Sequence, residues 1–158
     1  MKAIVAVDQN WGIGQKNQLL VRIPADLQRF KALTTGHPVI LGRKTLETFP
    51  GGRPLPNRRN LILSANPDYH VEGGEVFHSP EELLKNCPDD AFVIGGSSVY
   101  KLLLPRCDRV YVTVLSRAFP ADAFFPNLEK DTCWSITETQ PPLDFEGLSF
   151  QYVTYDRV

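Results

Sequence analysis

The sequence predicts an α/β fold in which a mostly parallel central sheet is connected by crossover helices. Over most of the chain, short apolar runs alternate with helix-like stretches, which is typical of parallel strands joined by helices. The C-terminal part differs, because three strand-like segments follow one another without helices between them and so favour antiparallel pairing at the sheet edge. The 158 residues suffice for one domain with a sizeable core, so we assign residues 1–158 to a single domain.

Local sequence features predict each strand and helix. The first predicted strands are the runs AIVAV (3–7), PVILG (38–42), NLILS (60–64), EVFHS (75–79) and AFVIGG (91–96). Four helices are predicted. One begins at Pro24, one covers RKTLETF (43–49), one begins at Ser79-Pro80, and one covers SVYKLLL and ends at Pro105. Proline suits the first helical turn, and Glu82 completes a capping box with Ser79. The C-terminal strands are RVYVTVLS, CWSITETQ and LSFQYVTYD.

Composition narrows the class of protein. A net charge of −1, with 42% hydrophobic and 22% charged residues, is ordinary for a soluble globular protein and predicts neither a nucleic-acid nor a membrane partner. The N-terminus lacks the pattern of a signal peptide, and no run approaches the roughly 20 apolar residues of a membrane span. The three cysteines are widely spaced without a Cys/His cluster, which favours a cytoplasmic protein with reduced thiols and no metal.

The helix that begins at Pro24 carries an acid on its apolar side. At 100° per residue, Asp26 projects between Leu33 and Phe30, and Leu27 flanks them. An acid in the first turn is stabilised by the helix dipole and by unpaired N–H groups, which would explain Asp26 as a structural residue. The alternative is that the carboxylate faces a ligand.

Three predicted strand ends carry polar turns, and ligands of open α/β sheets bind beyond the carboxyl ends of the strands. Strand 38–42 runs into Gly42-Arg43-Lys44-Thr45, which could hold a phosphate or could be a solvated basic turn. Strand 60–64 ends in Ser64. Strand 91–94 ends in Gly95-Gly96-Ser97-Ser98, and the glycine pair permits close approach by a ligand or simply makes a tight turn. Neither GxGxxG nor GxxxxGK[ST] is present.

The loop NWGIGQKNQLL separates the first strand from the Pro24 helix. Gly12 and Gly14 bracket Ile13, and we interpret the pair as giving mobility to an apolar tip. Such a loop suits a lid over a flat ring, although a plain surface loop would look similar.

Taken together, these motifs resemble the dihydrofolate reductase family. The resemblance covers essentially the whole chain in order, through GIG, IPADLQRFK, VILGRKTLETFP, GRPLPNRRNLILS, VIGGSSVY, VYVT and ADAFFP. It implies NADPH-dependent reduction of 7,8-dihydrofolate to tetrahydrofolate for one-carbon metabolism, with hydride transfer to C6 and protonation of N5. It also implies a small-molecule substrate, and we expect a monomer.

The resemblance also implies site residues. Asp26 matches the only ionisable side chain of the pterin pocket, Thr113 the hydroxyl that braces it, and Arg58 the arginine that grips the glutamate α-carboxylate. The positions matched to the substrate are Ile4, Val5, Asp26, Leu27, Phe30, Phe49, Leu55, Arg58, Ile94, Tyr100 and Thr113. Those matched to the cofactor are Ala6, Ile13, Gly14, Leu19, Gly42, Arg43, Lys44, Thr45, Ser64, His78, Gly95, Gly96, Ser97, Ser98, Val99 and Tyr100.

Some positions depart from the family pattern. Leu19-Leu20-Val21 stands where Leu-Pro-Trp is usual, so the tryptophan that often orders a water beside the acid in this family is absent. Pro120-Ala121-Asp122 stands where some members have an acidic-Gly-Asp loop that couples to the lid, and Ser98 stands where some members have a basic residue. Two alternatives stay open: a pyrimidine reductase of riboflavin synthesis with the same fold, and a non-catalytic nucleotide- or folate-binding module.

Overall fold

The computed structural model describes residues 1–158 as twelve strands, four α-helices and three short 3-10 helices. The helices are α1 (Pro24–Thr34), α2 (Arg43–Glu47), α3 (Pro80–Lys85) and α4 (Ser97–Leu103), and the 3-10 helices cover Pro50–Gly52, Leu104–Arg106 and Leu128–Lys130. The strands are β1 (Lys2–Val7), β2 (Gly12–Gln15), β3 (Gln18–Leu19), β4 (Val39–Gly42), β5 (Asn60–Leu63), β6 (Glu75–Phe77), β7 (Phe92–Gly95), β8 (Arg109–Leu115), β9 (Ala123–Phe124), β10 (Trp134–Thr139), β11 (Leu143–Phe145) and β12 (Leu148–Arg157).

One nine-stranded sheet organises the chain. Its order is β10-β12-β8-β1-β7-β4-β5-β6, with β11 added on β12. The strands from β8 to β6 are parallel, and β12 is antiparallel to β8, β10 and β11. The predicted fold class is therefore confirmed, with one correction: β8 pairs parallel with β1, and only the strands after it are antiparallel.

The strands at the centre of the sheet are apolar because both faces are covered. Neighbouring residues point to opposite faces, so Ile40 belongs to one core cluster while Leu41 belongs to the other. Both are fully buried, and burying such a side chain stabilises the fold by about 1.5–3 kcal/mol. The core thus holds the strand ends rigidly at one edge. No helix is both long enough and apolar enough to cross a bilayer.

The segment expected as a mobile loop is instead part of a small antiparallel sheet of order β3-β2-β9. Gly12 and Gly14 lie in β2, and added Cβ atoms there would meet Ala121 Cβ at 2.8 Å and the Gln18 carbonyl oxygen at 2.7 Å. These approaches show that the two glycines allow close packing of the hairpin. The assignment of the segment as a loop is therefore wrong, while the mobility of its tip stays a prediction.

Two helix ends and one helix cap also differ from expectation: α2 ends at Glu47 and not at residue 49, and α4 ends at Leu103 and not at Pro105. The Ser79 hydroxyl accepts a hydrogen bond from the Glu82 backbone N–H at 3.2 Å, but the Glu82 carboxylate accepts from the His78 N–H at 3.4 Å, so the capping box is only half formed. After α4, the chain continues through Pro105 as a 3-10 turn, because proline at the start of a turn needs no N–H partner.

Candidate active site

The ends of three parallel strands meet at one edge of the sheet. Gly42 at the end of β4 pairs with Leu63 of β5, and Leu41 pairs with Gly95 of β7. The turns that follow therefore lie side by side. They open on a cleft of about 1380 Å³, and every residue matched above to substrate or cofactor lines it.

Asp26 lies at the inner wall of this cleft. Its carboxylate Oδ1 accepts a hydrogen bond of 2.6 Å from the Thr113 hydroxyl on β8. Thr113 is only 2% exposed, and Asp26 is partly buried. Burial raises the pKa of the Asp26 carboxyl, while the Thr113 hydrogen bond and the positive charge of Arg29 act against that rise. The site therefore holds a carboxylate whose charge costs free energy unless a donor-rich ligand faces it.

The start of α1 argues against a purely structural role for this acid. No side chain caps the helix at Ile23, and Pro24 fills the first turn. Asp26 forms its side-chain hydrogen bond with a neighbouring strand. Leu27 is 37% exposed beside it, so one wall of the cleft is an apolar surface open to a ligand.

The backbone of β1 forms the floor next to Asp26. Ala6 pairs with Thr113 in the parallel register of β1 and β8. The hydroxyl of the buried Tyr100, on α4, donates to the Ile4 carbonyl oxygen at 2.6 Å. Burial raises the pKa of Tyr100, so this phenol stays neutral and fixes β1, and only its ring is free to contact a ligand.

The Gly95-Gly96 turn narrows the cleft between α4 and α2. Gly95 has φ of +137°, a conformation that side chains rarely adopt. A Cβ atom on Gly96 would lie 3.1 Å from the Thr45 hydroxyl. A side chain at either position would fill the space between the turn and Thr45. The bare backbone leaves room for a ligand to lie directly against the turn.

Cationic and hydroxyl groups collect where β4 and β5 end. Arg43 Nη1 donates to Glu47 Oε1 at 2.9 Å, and the side chains of both residues are well exposed. Ser64 is buried, with its hydroxyl accepting from the Asn66 N–H at 3.3 Å, and His78 Nδ1 lies 2.9 Å from the Ser64 carbonyl oxygen. With Lys44 on the same turn, this arrangement can bind a dianionic phosphate.

Arg58 lies at the opposite end of the cleft, beyond Phe49 and Leu55. Its Nε donates to the Pro56 carbonyl oxygen at 2.8 Å, and its Nη1 donates to the Thr34 hydroxyl at 3.0 Å. These two bonds orient the guanidinium and leave Nη2 and the second Nη1 hydrogen without a partner. That free end can bind a carboxylate with two hydrogen bonds.

Asp122 ties the β2–β3 hairpin to the β8–β9 connection. Its Oδ2 accepts from the Lys16 N–H at 3.0 Å, and its own N–H donates to the Gly14 carbonyl oxygen at 3.0 Å. The departure from the family pattern at Pro120-Ala121 therefore leaves both hydrogen bonds of Asp122 in place. Leu19 is half exposed at the hairpin end, where it can cover a ligand.

Sequence reasoning missed several residues of the cleft. Lys31 and Asn66 line it, and both follow recognised positions: Lys31 lies one helical turn after Leu27, and Asn66 lies two residues after Ser64. Extending the α1 motif by one helical turn and the strand-end motif by two residues would have found them. Arg29 does not line the cleft, and its contacts with Tyr111 and Tyr152 gave no local signal, because both rings belong to distant strands.

Comparison with known proteins agrees with the geometry. A family model for dihydrofolate reductase matches residues 1–157. The dihydrofolate reductase of Bacillus subtilis (strain 168) is 38% identical over 157 residues, covering 94% of this chain and 92% of the relative. Dihydrofolate reductase type 3 of Salmonella typhimurium is 40% identical over 159 residues, covering 98% of this chain and 96% of the relative.

A solved structure has the same fold. Dihydrofolate reductase from Enterococcus faecalis, complexed with NADP(H) and RAB-propyl, matches with a TM-score of 0.88 and 40% sequence identity. The match covers 99% of this chain and 95% of that chain.

Proposed function

This chain belongs to the dihydrofolate reductase family, and we propose that it reduces dihydrofolate with NADPH by using Asp26 as the side chain that controls protonation of the substrate. The observation that carries the proposal is the Thr113–Asp26 hydrogen bond of 2.6 Å inside the large cleft. It holds the only carboxylate that lies between the apolar wall of α1 and the backbone of β1.

When bound in the cleft, NADPH would supply a hydride for C6 of the substrate. The partly buried Asp26 carboxylate accepts hydrogen bonds from the amino and ring N–H groups of the pterin. Its negative charge raises the proton affinity of the neighbouring ring, so that N5 takes a proton delivered through water. Thr113 keeps the carboxylate oriented, and the apolar side chains of Leu27 and Phe30 exclude solvent from the ring.

The two ends of the cleft bind the charged groups of the substrate and the cofactor that lie away from the reacting rings. The free edge of Arg58 binds the α-carboxylate of the substrate. Arg43, Lys44 and Ser64 bind the 2′-phosphate of the cofactor, and this contact favours NADPH over NADH. The Gly95-Gly96 turn leaves room for the diphosphate and nicotinamide.

An absorbance assay at the nicotinamide wavelength tests the function. We expect NADPH oxidation that requires dihydrofolate and is slower with NADH at equal concentration. Oxidation that needs a pyrimidine substrate instead would support the riboflavin-pathway alternative, and no turnover with either substrate would support a binding module. Equal rates with both cofactors would contradict the assignment of the phosphate site.

Three expectations accompany this proposal and stay predictions. We propose that residues 1–158 form one domain, which is supported by a sheet whose strands come from both ends of the chain. We also propose that the protein acts as a monomer in the cytoplasm. Its three cysteines are free thiols, as a reducing compartment would keep them.

A further inference from the structure

Arg29 is a partly buried cation that the proposed mechanism does not use. Its guanidinium carbon lies 3.9 Å from the centroid of the Tyr152 ring and 5.7 Å from that of Tyr111. Its Nη1 is buried without a hydrogen-bond partner among the protein atoms. The guanidinium is therefore held by stacking on the two aromatic rings and not by an ion pair.

The register of the sheet explains where this charge lies. Tyr152 on β12 pairs with Thr113 on β8, so the two side chains are neighbours on one face of the sheet. Asp26 and Arg29 are three residues apart on α1 and lie on the same side of the helix. The acid contacts Thr113 while the arginine contacts its cross-strand partner, and the cation is therefore held beside the carboxylate without an ion pair.

We propose that Arg29 is a positioning residue for the reaction: its stacked guanidinium holds a fixed positive charge beside Asp26 and thereby sets the pH range in which the carboxylate is ionised and the enzyme is active. A guanidinium suits this role, because it stays protonated and stacks on aromatic rings. The kinetic part of this inference rests on the proposed role of Asp26.

Few other groups compete with this charge. On β8, Asp26 faces the Thr113 hydroxyl, with Tyr111 beyond it, and on β12 it faces Tyr152. Burial and the nearby Asp26 charge raise the pKa of Tyr152, so that phenol stays neutral. The facing stretch of β1, residues 4–6, carries no titratable side chain. Arg29 is the cation that lowers the pKa of Asp26 against the effect of burial.

The experiment compares Arg29→Met, which removes the charge, with Arg29→Lys, which keeps it. Arg106→Met is the matched control, because Arg106 is exposed outside the cleft. The full-length proteins are labelled with carboxyl-¹³C aspartate and titrated by NMR, and the Asp26 signal is identified by its loss in Asp26→Asn. The pH profile of kcat/KM is then measured for each protein.

We expect Arg29→Met to move the Asp26 titration to higher pH, because removing a nearby positive charge favours the protonated form. The kcat/KM profile should move in the same direction with its plateau kept. Arg29→Lys should titrate closer to the wild type than Arg29→Met does, and Arg106→Met should titrate as the wild type does. If Arg29→Met does not fold, Arg29→Gln provides the neutral variant.

An unchanged Asp26 titration in the neutral variant would overturn the inference. A lower plateau of kcat/KM with an unmoved pH profile would overturn it too, because that result indicates that Arg29 only supports the structure. Failure of the proposed function looks different. In that case Asp26→Asn keeps full activity while the NMR titration still responds to Arg29.

Discussion

Thr113 donates its hydroxyl hydrogen to Asp26 across 2.6 Å and so joins β8 to α1 at the inner wall of the cleft. The same threonine pairs in register with Ala6 on β1 and with Tyr152 on β12. One buried hydroxyl thus sets the position of the carboxylate relative to the backbone of β1 on one side and the stacked Arg29 on the other.

Thr113→Val tests this link, because valine keeps the shape and removes the hydroxyl. A hydrogen bond to a charged group contributes about 1.5–3 kcal/mol, so we expect kcat/KM to fall by about one to two decades. The lost hydrogen bond also removes an influence that lowers the pKa of Asp26, so the pH profile should move to higher pH. Thr113→Ser is the control and should stay near wild type; an equal loss in Thr113→Ser would point to packing instead.

Arg43→Ala tests the phosphate site. Only NADPH carries the 2′-phosphate, so we expect its affinity to fall by about one to two decades, which is the effect of losing about 1.5–3 kcal/mol of charged hydrogen bonding. NADH affinity should change little. Fluorescence titration with both cofactors measures the difference, and equal losses for both would show that Arg43 supports the fold.

Glu47→Gln tests the same phosphate site in the opposite direction, because it frees Arg43 from its ion pair. Glu47 holds Arg43 in an exposed ion pair at 2.9 Å, and such pairs contribute only about 0–1 kcal/mol. Freeing Arg43 should therefore tighten NADPH binding by less than about tenfold, with no change for NADH. Weaker NADPH binding in this variant would mean that the pair is needed to orient Arg43.

Arg58→Lys tests the tail of the substrate. An ammonium group cannot form two parallel hydrogen bonds with a carboxylate, so KM for dihydrofolate should rise by about tenfold or more while kcat changes little. A pterin without the glutamate should bind both proteins equally. Weaker binding of that truncated pterin to the variant would show that the Thr34 and Pro56 contacts of Arg58 support the pocket itself.

Sequence patterns predicted the parts of the site that depend on local order. Parallel strands end at one edge, so the turns at Gly42-Arg43 and Gly95-Gly96 could be placed together before any coordinates. The apolar side of α1 likewise located Asp26. These features need only the period of a helix, the alternation of strands and the rule for strand ends.

The parts that sequence could not predict depend on register and on close approach. The contact of Arg29 with Tyr152 exists because β12 pairs with β8 at one register, and no local pattern specifies that register. Gly12 and Gly14 show the second limit: a glycine in a sequence is compatible with conformational freedom and with close packing, and only the 2.8 and 2.7 Å approaches show that these two are closely packed.

Asp26→Asn separates the two interpretations of the acid. Asparagine keeps the size of the side chain and can still accept the Thr113 hydrogen bond, but it supplies no negative charge. We expect kcat/KM at neutral pH to fall by about 10²–10⁴, the range for positioned proton-transfer groups. Activity should partly return in acid, where solvent protonates the substrate before it binds.

Stability gives an independent measurement on the same variant. Because burial raises the pKa of Asp26 above 3.8 in the folded chain, the folded state binds this proton more tightly than the unfolded state does. Ionisation therefore costs stability above the folded pKa, and the cost disappears as the pH falls below 3.8. In urea unfolding, Asp26→Asn should be at least as stable as wild type at neutral pH, and it should lose any advantage in acid. The helix-dipole interpretation requires the reverse, because removing a favourable charge would lower stability at neutral pH. Near-normal turnover together with lower stability would therefore show that the Asp26 charge stabilises α1 through the helix dipole and does not act on the substrate.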